Sequence, residues 1–402
     1  MIIIGTGKTG QSCAKYFARK NTPAVLLDTR TLTPDDQKLL ANTKEIILSP
    51  GIDPALFPNH KITSDIALFA REAEKTNTPI IAITGTNAKG TVTTLITEMI
   101  NQCGKTALMG GNIGIPALDL LEQPTPDFYV LEISSFQLDI TDYLPSIASV
   151  ILNISPDHLD RYKTLDNYIK SKQKIYKNSQ NCIYNLDDPA TTPPTSSKHP
   201  IWFSLSEVDK LPLKDLKIKG KHNYSNALAA LKIGEVIGLD KTKMLDALKK
   251  FPGLEHRCEW VATDQNKITW INDSKGTNVG ATIAALDGFG LDNHKHIVLI
   301  AGGLGKGADF ALLKPSIEKY VHDVILLGQD AKLISDAIQS ATTKHFVSSL
   351  KEAILTAKQL AKPFDIVLLS PACASWDMFK DFEDRGRQFK DLVKECITHE
   401  VI

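Results

Sequence analysis

The sequence predicts an α/β protein built from parallel sheets covered by helices, and two features carry that reading. Short runs of Ile, Val and Leu recur at residues 1–4, 46–48, 80–83, 129–133, 147–152, 297–301, 324–327 and 366–369. They are apolar on both faces, as strands buried between two helical layers must be. Each run is followed by Gly, Asp, Asn or Ser and then by helical spacing, which is the order of repeated strand–helix units. The chain has 402 residues, enough for two to four domains, each able to bury its own core.

Composition removes several classes of function. Lys+Arg and Asp+Glu both number 46, and a binder driven electrostatically to nucleic acid or a membrane surface needs a basic excess. Six cysteines (Cys13, Cys103, Cys182, Cys258, Cys373 and Cys396) lie far apart without a CxxC pair. Such spacing fits reduced thiols better than a disulfide or metal framework. The start, Met-Ile-Ile-Ile-Gly, has no basic segment before its short apolar run, and no stretch approaches 18 apolar residues, so neither a signal peptide nor a membrane span is expected. Two breaks look like domain boundaries: Thr76-Asn77-Thr78-Pro79 and Phe251-Pro252-Gly253. The Pro/Thr/Ser-rich stretch 187–200 reads as a surface loop inside the middle domain, because strand-like sequence follows it at once.

Taken in order, the first loop is Gly5-Thr6-Gly7-Lys8-Thr9-Gly10, after a strand and opening a helix, with Asp28 closing a second strand. That is the pattern of a dinucleotide fingerprint, in which glycines admit a diphosphate and the acid takes a ribose hydroxyl. An NAD-dependent oxidoreductase is one reading. Any ligand carrying a diphosphate on a helix N-terminus satisfies the same physics, and so does a tight turn with no ligand.

Thr84-Gly85-Thr86-Asn87-Ala88-Lys89-Gly90-Thr91 is the stronger signal, lying between the run at 80–83 and a helical run from Val92 to a stop at Gly104. Strand, glycine-bearing loop, Lys, hydroxyl and helix is the order a phosphate loop needs. Gly90 stands where a hydroxyl usually follows the lysine, so Thr91 is the available Mg²⁺ ligand. Glu132 ends the strand at 129–133, and His158 follows the strand at 147–152 by a short turn. Both lie on the carboxyl edge where ligands of open parallel sheets gather, and they suit a metal bound to nucleotide phosphates. By spacing alone, Lys172 is an ordinary lysine on a solvated helix face. The segment His222-Asn223-Tyr224-Ser225-Asn226 opens another helix, with Asn223 or Ser225 as a possible N-cap. Three polar loops follow strands in the last third: residues 272–278, 302–307 and 370–375. Their lysines and hydroxyls suit a small anionic substrate, or are plain strand–helix turns.

Together these segments resemble the Mur ligase family. The similarity runs in order through IGTGKTG, DTR, SPGI, ITGTNAKGTVTTL, GGNIGIPAL, LEISSFQL, ILNISPDHLDRY, GKHNYSNALAAL, GLEHR, WINDSKGTN, GGLGKGADF and LLSPACASWDMF. LEISSFQL, NDSKGTN and SPACAS narrow it to the members that use D-glutamate. The resemblance implies three domains: a Rossmann-like UDP-binding domain (1–78), a central ATPase domain (79–253) and a Rossmann-like amino-acid-binding domain (254–402). It implies a cytoplasmic bacterial enzyme, a monomer with no nucleic-acid or membrane partner. Using ATP and two Mg²⁺ ions, it would add D-glutamate to UDP-N-acetylmuramoyl-L-alanine, a peptidoglycan precursor, through an acyl phosphate.

By the same resemblance Lys8, Thr9, Thr29 and Arg30 bind uridine, and Asn112 and Gln137 meet the muramoyl-alanine part. Gly85 to Thr91 hold ATP phosphates with Lys89 catalytic. Thr91, Glu132, His158 and a carbamylated Lys172 serve the metal, His158 and Lys172 also counting as catalytic. Asn226, Arg257 and Asp273 hold adenine, phosphate or ribose. Lys275, Thr277, Lys306, Ser375 and Phe382 form the D-glutamate pocket. Gly90 and Ala88 depart from the family pattern, and a Lys-Gly-Ser/Thr order resembles the folylpolyglutamate synthetases. A folate-type glutamate ligase is therefore the nearer alternative, although that group lacks the UDP-binding domain.

Overall fold

The computed structural model describes all residues except 198, 213–214, 219, 291–293, 340–341 and 399–402, so the end of the expected 254–402 segment lies outside the described residues. The chain forms two compact units. One comprises Met1–Ile154, Tyr162–Asp215 and Ser225–Lys250; the other comprises Ser155–Arg161, Leu216–Tyr224 and Phe251–Ile402.

The first unit holds two parallel sheets. The smaller runs Val25–Leu27, Ile2–Ile4, Glu45–Leu48, Lys61–Thr63. Ile2, Ile3 and Ile4 are all buried, as a central strand covered on both faces requires. The helix Lys8–Arg19 follows directly, with Gly7 as its N-cap. Gly10 has to be glycine, since a Cβ there would lie 1.7 Å from the Gly5 carbonyl oxygen. The larger sheet runs Pro200–Phe203, Cys182–Asn185, Ala148–Ile151, Ile80–Thr84, Phe128–Glu132, Ala107–Gly111, again all parallel. Residues 187–200 connect two neighbouring strands of this sheet, as their loop reading requires.

The second unit holds one sheet, ordered Glu259–Thr263, Thr269–Asn272, Ile366–Leu369, Ile297–Gly302, Val321–Leu327, Thr343–Phe346. It is parallel except for the hairpin pairing of its first two strands. That edge strand is half exposed, so it lacks the doubly buried apolar run by which the others are legible.

Two local readings change. The helix Lys221–Val236 begins at Lys221, so Asn223 and Ser225 lie inside its first turns rather than capping it. Lys172 is 1% exposed rather than solvated, because the helix Leu165–Gln173 turns Tyr168, Ser171 and Lys172 inward together.

Candidate active site

The strand Ile80–Thr84 is buried throughout and delivers the loop 85–88 to the carboxyl edge of its sheet. Gly85 has φ +158°, and a Cβ on it would press on Leu152 at 3.1 Å. Asn153, just past the neighbouring strand Ala148–Ile151, fixes the loop. Its carbonyl oxygen accepts from Thr86 N at 2.9 Å, and its Oδ1 accepts from Asn87 N at 2.8 Å. Its Nδ2 donates back to Asn87 O at 3.2 Å. Asn153 is absent from the sequence-derived set; its only signal was an amide directly after a strand on the active edge. The helix Lys89–Gln102 starts at the loop with Gly90 and Thr91 buried. Lys89 Nζ donates to the carbonyl oxygens of Gly85 and Thr86, both at 3.0 Å.

Lys172 reaches the same loop. Its Nζ donates to Gly85 O at 2.8 Å and lies 4.7 Å from the centre of the Tyr168 ring. Glu132 ends the strand Phe128–Glu132, in register with Ile83, two residues before Gly85 opens the phosphate loop. Its Oε1 accepts from Asn112 Nδ2 at 2.7 Å, while its Oε2 is buried without a hydrogen-bond partner. An orphaned buried carboxylate oxygen beside a hydroxyl-bearing phosphate loop fits a hard, oxygen-seeking cation. Among the described residues no ready-made cluster of three His, Cys, Asp or Glu side chains exists, so phosphate oxygens would have to complete the coordination, as Mg²⁺ commonly requires. Gln137 is taken up by the fold: its Oε1 accepts from Ser134 N and Oγ in a capping box, and Asp65 hydrogen-bonds the side chain.

On the smaller sheet, Lys8, Thr9, Thr29 and Arg30 flank the glycine loop. Arg30 grips Asp28 with Nε at 2.9 Å and Nη2 at 2.6 Å, and Thr6 Oγ1 donates to the same carboxylate at 3.2 Å. The Arg30 hydrogen bonds hold the Asp28 carboxyl far below its ordinary range. Asp28 therefore serves Arg30 and is not a free acceptor for a ribose, which removes the residue on which the NAD reading relied. Asn226 is buried in the first unit.

The second unit gathers its own set. The strands Thr269–Asn272, Ile366–Leu369 and Ile297–Gly302 are neighbours, so the three polar loops seen in the sequence leave one sheet edge side by side. Asp273 Oδ2 accepts from Ser370 Oγ at 2.7 Å and its Oδ1 from Cys258 N at 3.1 Å. Burial pushes its carboxyl up to about 6. Arg385 donates to Ser274 O at 2.8 Å and Cys373 O at 3.2 Å, knitting two loops. Lys275 Nζ stands 3.5 Å from the Phe382 ring centre, Thr277 N donates to Lys275 O, and Ser375 is buried. Arg257 lies between two left-handed residues, His256 and Cys258. His158 falls in the segment 155–161 of this unit, with φ +54° and Nε2 3.7 Å from Asp157.

A phosphate loop backed by a buried lysine and an orphaned acid, in a chain of parallel α/β sheets, defines a nucleotide-using enzyme. Family models match three successive stretches: the MurD-like N-terminal domain of Mur ligases over residues 1–58, the Mur ligase middle domain over 83–211, and the Mur ligase glutamate ligase domain over 256–373. The chain belongs to the Mur ligase family. A UDP-N-acetylmuramoylalanine–D-glutamate ligase of Hahella chejuensis is 42% identical, with 98% of this chain and 97% of that protein aligned. Its counterpart in Pseudomonas aeruginosa is 43% identical over the same shares. Among solved structures, MurF ligase from Thermotoga maritima in complex with ADP superposes with a TM-score of 0.65 at 14% identity, covering 100% of this chain and 95% of that one. A pseudomurein peptide ligase type C from Methanothermus fervidus gives 0.63 at 16% identity, covering 98% and 99%. These two establish the fold. Among the described residues no helix is long and apolar enough to cross a membrane.

Proposed function

We propose that this chain is an ATP-dependent ligase that joins D-glutamate to UDP-N-acetylmuramoyl-L-alanine in peptidoglycan precursor synthesis, acting as a monomer in the bacterial cytoplasm. The domain limits are those at residues 78/79 and 253/254. The observation that carries the reading is the convergence of Lys89 and Lys172 on the Gly85 carbonyl, two residues in register from Glu132. The two curated relatives, aligned over nearly their whole length, support the choice of substrates.

An amide cannot form directly from a carboxylate and an amine at neutral pH, because the carboxylate offers no leaving group. Attack of the substrate carboxylate oxygen on the γ-phosphorus of ATP expels ADP and gives an acyl phosphate. The D-glutamate nitrogen then attacks the acyl carbon, phosphate departs, and the nitrogen loses a proton. In the first step two anions must meet. With the Thr86 and Asn87 amides held by Asn153, the amides from Ala88 to Thr91 at the N-terminus of the helix Lys89–Gln102 cradle phosphate oxygens. Lys89, freed from the Gly85 and Thr86 carbonyls, follows the transferred phosphoryl. Thr91, Glu132 and His158 would hold magnesium, which neutralises charge on the phosphates. Lys172, carbamylated by CO₂, would present anionic oxygens beside Gly85 for a second ion. Arg30, braced by Asp28, and Lys8, Thr9 and Thr29 would take the uridine diphosphate end, with Asn112 toward the muramoyl-alanine end. Asn226, Arg257 and Asp273 would serve the nucleotide, and Lys275, Thr277, Lys306, Ser375 and Phe382 the amino acid.

One assay tests this: phosphate release and peptide formation with UDP-N-acetylmuramoyl-L-alanine, ATP and Mg²⁺, comparing D-glutamate with L-glutamate. Product with the D-isomer alone is expected. ATP hydrolysis without the new amide, or none at all, sinks the proposal.

A further inference from the structure

Trp376 has no part in the set above, and it is held in an unusual way. Its ring is 66% exposed, yet the backbone on both sides is pinned. Before it, Ala374 and Leu304 exchange two backbone hydrogen bonds of 2.9 and 3.0 Å, and Ser375 is buried. Ser375 O accepts from Met378 N and Phe379 N at 3.1 and 2.8 Å. After it, Asp377 Oδ2 accepts from Gln329 N at 2.8 Å. Exposing a large aromatic on a rigid loop forgoes the burial that such a side chain normally contributes, so its place asks for another explanation.

The second observation is Lys306. It adopts the left-handed region at φ +52°, a conformation unfavourable for a residue with a Cβ, in a loop whose Gly305 N donates to Asp330 Oδ2 at 2.6 Å. That backbone sets Lys306 Nζ 5.4 Å from the Trp376 ring centre. The nearby carboxylates of Asp330 and Asp377 are each engaged by a backbone N–H, of Gly305 and Gln329. A salt bridge would fix the ammonium and also cancel its charge. An aromatic face fixes it and leaves the charge for an incoming anion. Across the loop cluster Lys275 Nζ also lies over an aromatic ring, that of Phe382. Two lysines on aromatic faces match the two carboxylates of an acidic amino acid.

We propose that Trp376 is a positioning residue for the acidic amino-acid substrate, its indole face holding the Lys306 ammonium for one of the substrate carboxylates. The inference rests on the function proposed above and adds a residue that determines how well that substrate binds. A cation–π contact at an exposed site corresponds to about a 2- to 5-fold change in an equilibrium constant. Trp376→Leu is therefore expected to raise the KM for D-glutamate by about that factor. Its kcat and its KM values for ATP and the UDP-linked substrate should stay at wild-type levels. Trp376→Phe, which keeps an aromatic face, should recover most of the loss. In a Lys306→Met background, Trp376→Leu should add nothing further, because the two act as a pair. An unchanged D-glutamate KM in Trp376→Leu overturns the proposal. So does an equal rise in the Lys306→Met background, or a fall in kcat alone. The wild-type arm separates the two levels: no product from wild-type protein with D-glutamate overturns the function itself, whereas a normal wild-type rate with indifferent variants overturns only the role of Trp376.

Discussion

Ala88 occupies the left-handed region at φ 64° and ψ 3°, immediately before the helix Lys89–Gln102, where a Cβ costs about 1–2 kcal/mol. The family resemblance read in the sequence implies glycine as a frequent residue at this position, and the backbone explains what the Cβ of Ala88 costs. Ala88→Gly relieves the strain but loosens the unfolded chain, so a net stabilisation of up to about 1 kcal/mol is expected, read as a raised denaturation midpoint at constant slope. Asp65 is a different kind of burden. Burial pushes its carboxyl up to about 6, and one of its oxygens has no hydrogen-bond partner. A carboxyl with a raised folded pKa contributes stability that is complete below its unfolded value near 3.9 and lost as the pH rises through 6. Asp65→Asn should therefore raise the melting temperature at pH 8 and change it little near pH 3.5, below the unfolded value. The full two-unit displacement corresponds to about 2–3 kcal/mol. Equal melting temperatures at pH 8 would contradict this account. Lys172 shows the limit of local reading most sharply: its neighbours in sequence suggest a solvated face, yet only tertiary packing reveals it 1% exposed against the phosphate loop. Lys172→Ala should abolish ligase activity, with partial recovery on adding a small carboxylate such as formate. Unimpaired activity in the variant would rule out a carbamate there.

Strands of the second unit divide their labour between their two ends. Carboxyl ends carry the polar loops of the candidate site, as open parallel sheets generally do. At the amino ends lies a network the sequence did not announce. His322 places Nδ1 2.6 Å from Asp323 and Nε2 2.9 Å from Asp365, while His345 Nε2 lies 2.7 Å from the other oxygen of Asp323. This ties the strands Val321–Leu327 and Thr343–Phe346 to the residue that opens Ile366–Leu369. Burial works against the Asp323 charge, but hydrogen bonds from His322 and His345 outweigh it and hold the carboxyl below its ordinary value. Its stabilising contribution is thus present above pH about 4 and fades as the pH falls further. Asp323→Asn is expected to cost about 1.5–3 kcal/mol at pH 7, the range for hydrogen bonds to charged groups. The gap between variant and wild type should close below pH 4. Because the network sits at the opposite strand ends from the site, KM values should be unaffected; a raised KM for any substrate would show that it does more than brace the sheet. Such networks join residues far apart in the chain, so periodicity and local composition are blind to them.

At the scale of the whole molecule, the doubly apolar strands and glycine loops made parallel α/β architecture legible, since both are local consequences of being buried between helices. Strand order was not legible, because it is decided by pairing between distant segments. Nor was the interleaving by which residues 155–161 and 216–224 group with the second unit while the segments around them group with the first. The glycine loop at residues 5–10 reads in the sequence as a tight turn that fits a diphosphate, with the identity of that diphosphate open. Asp28, the acid that an NAD reading assigns to the ribose, is gripped by Arg30 and Thr6. A ligand that binds only the folded state stabilises it by mass action, about 2.7 kcal/mol at one hundred times its dissociation constant. UDP at saturating concentration should therefore raise the melting transition of the first unit, and NAD at the same concentration should not. Arg30→Ala should lose most of the UDP shift while Asp28, no longer paired, becomes an available acceptor. If NAD instead produces the larger shift, in wild type or in Arg30→Ala, the glycine loop serves a different ligand from the one its bracing predicts.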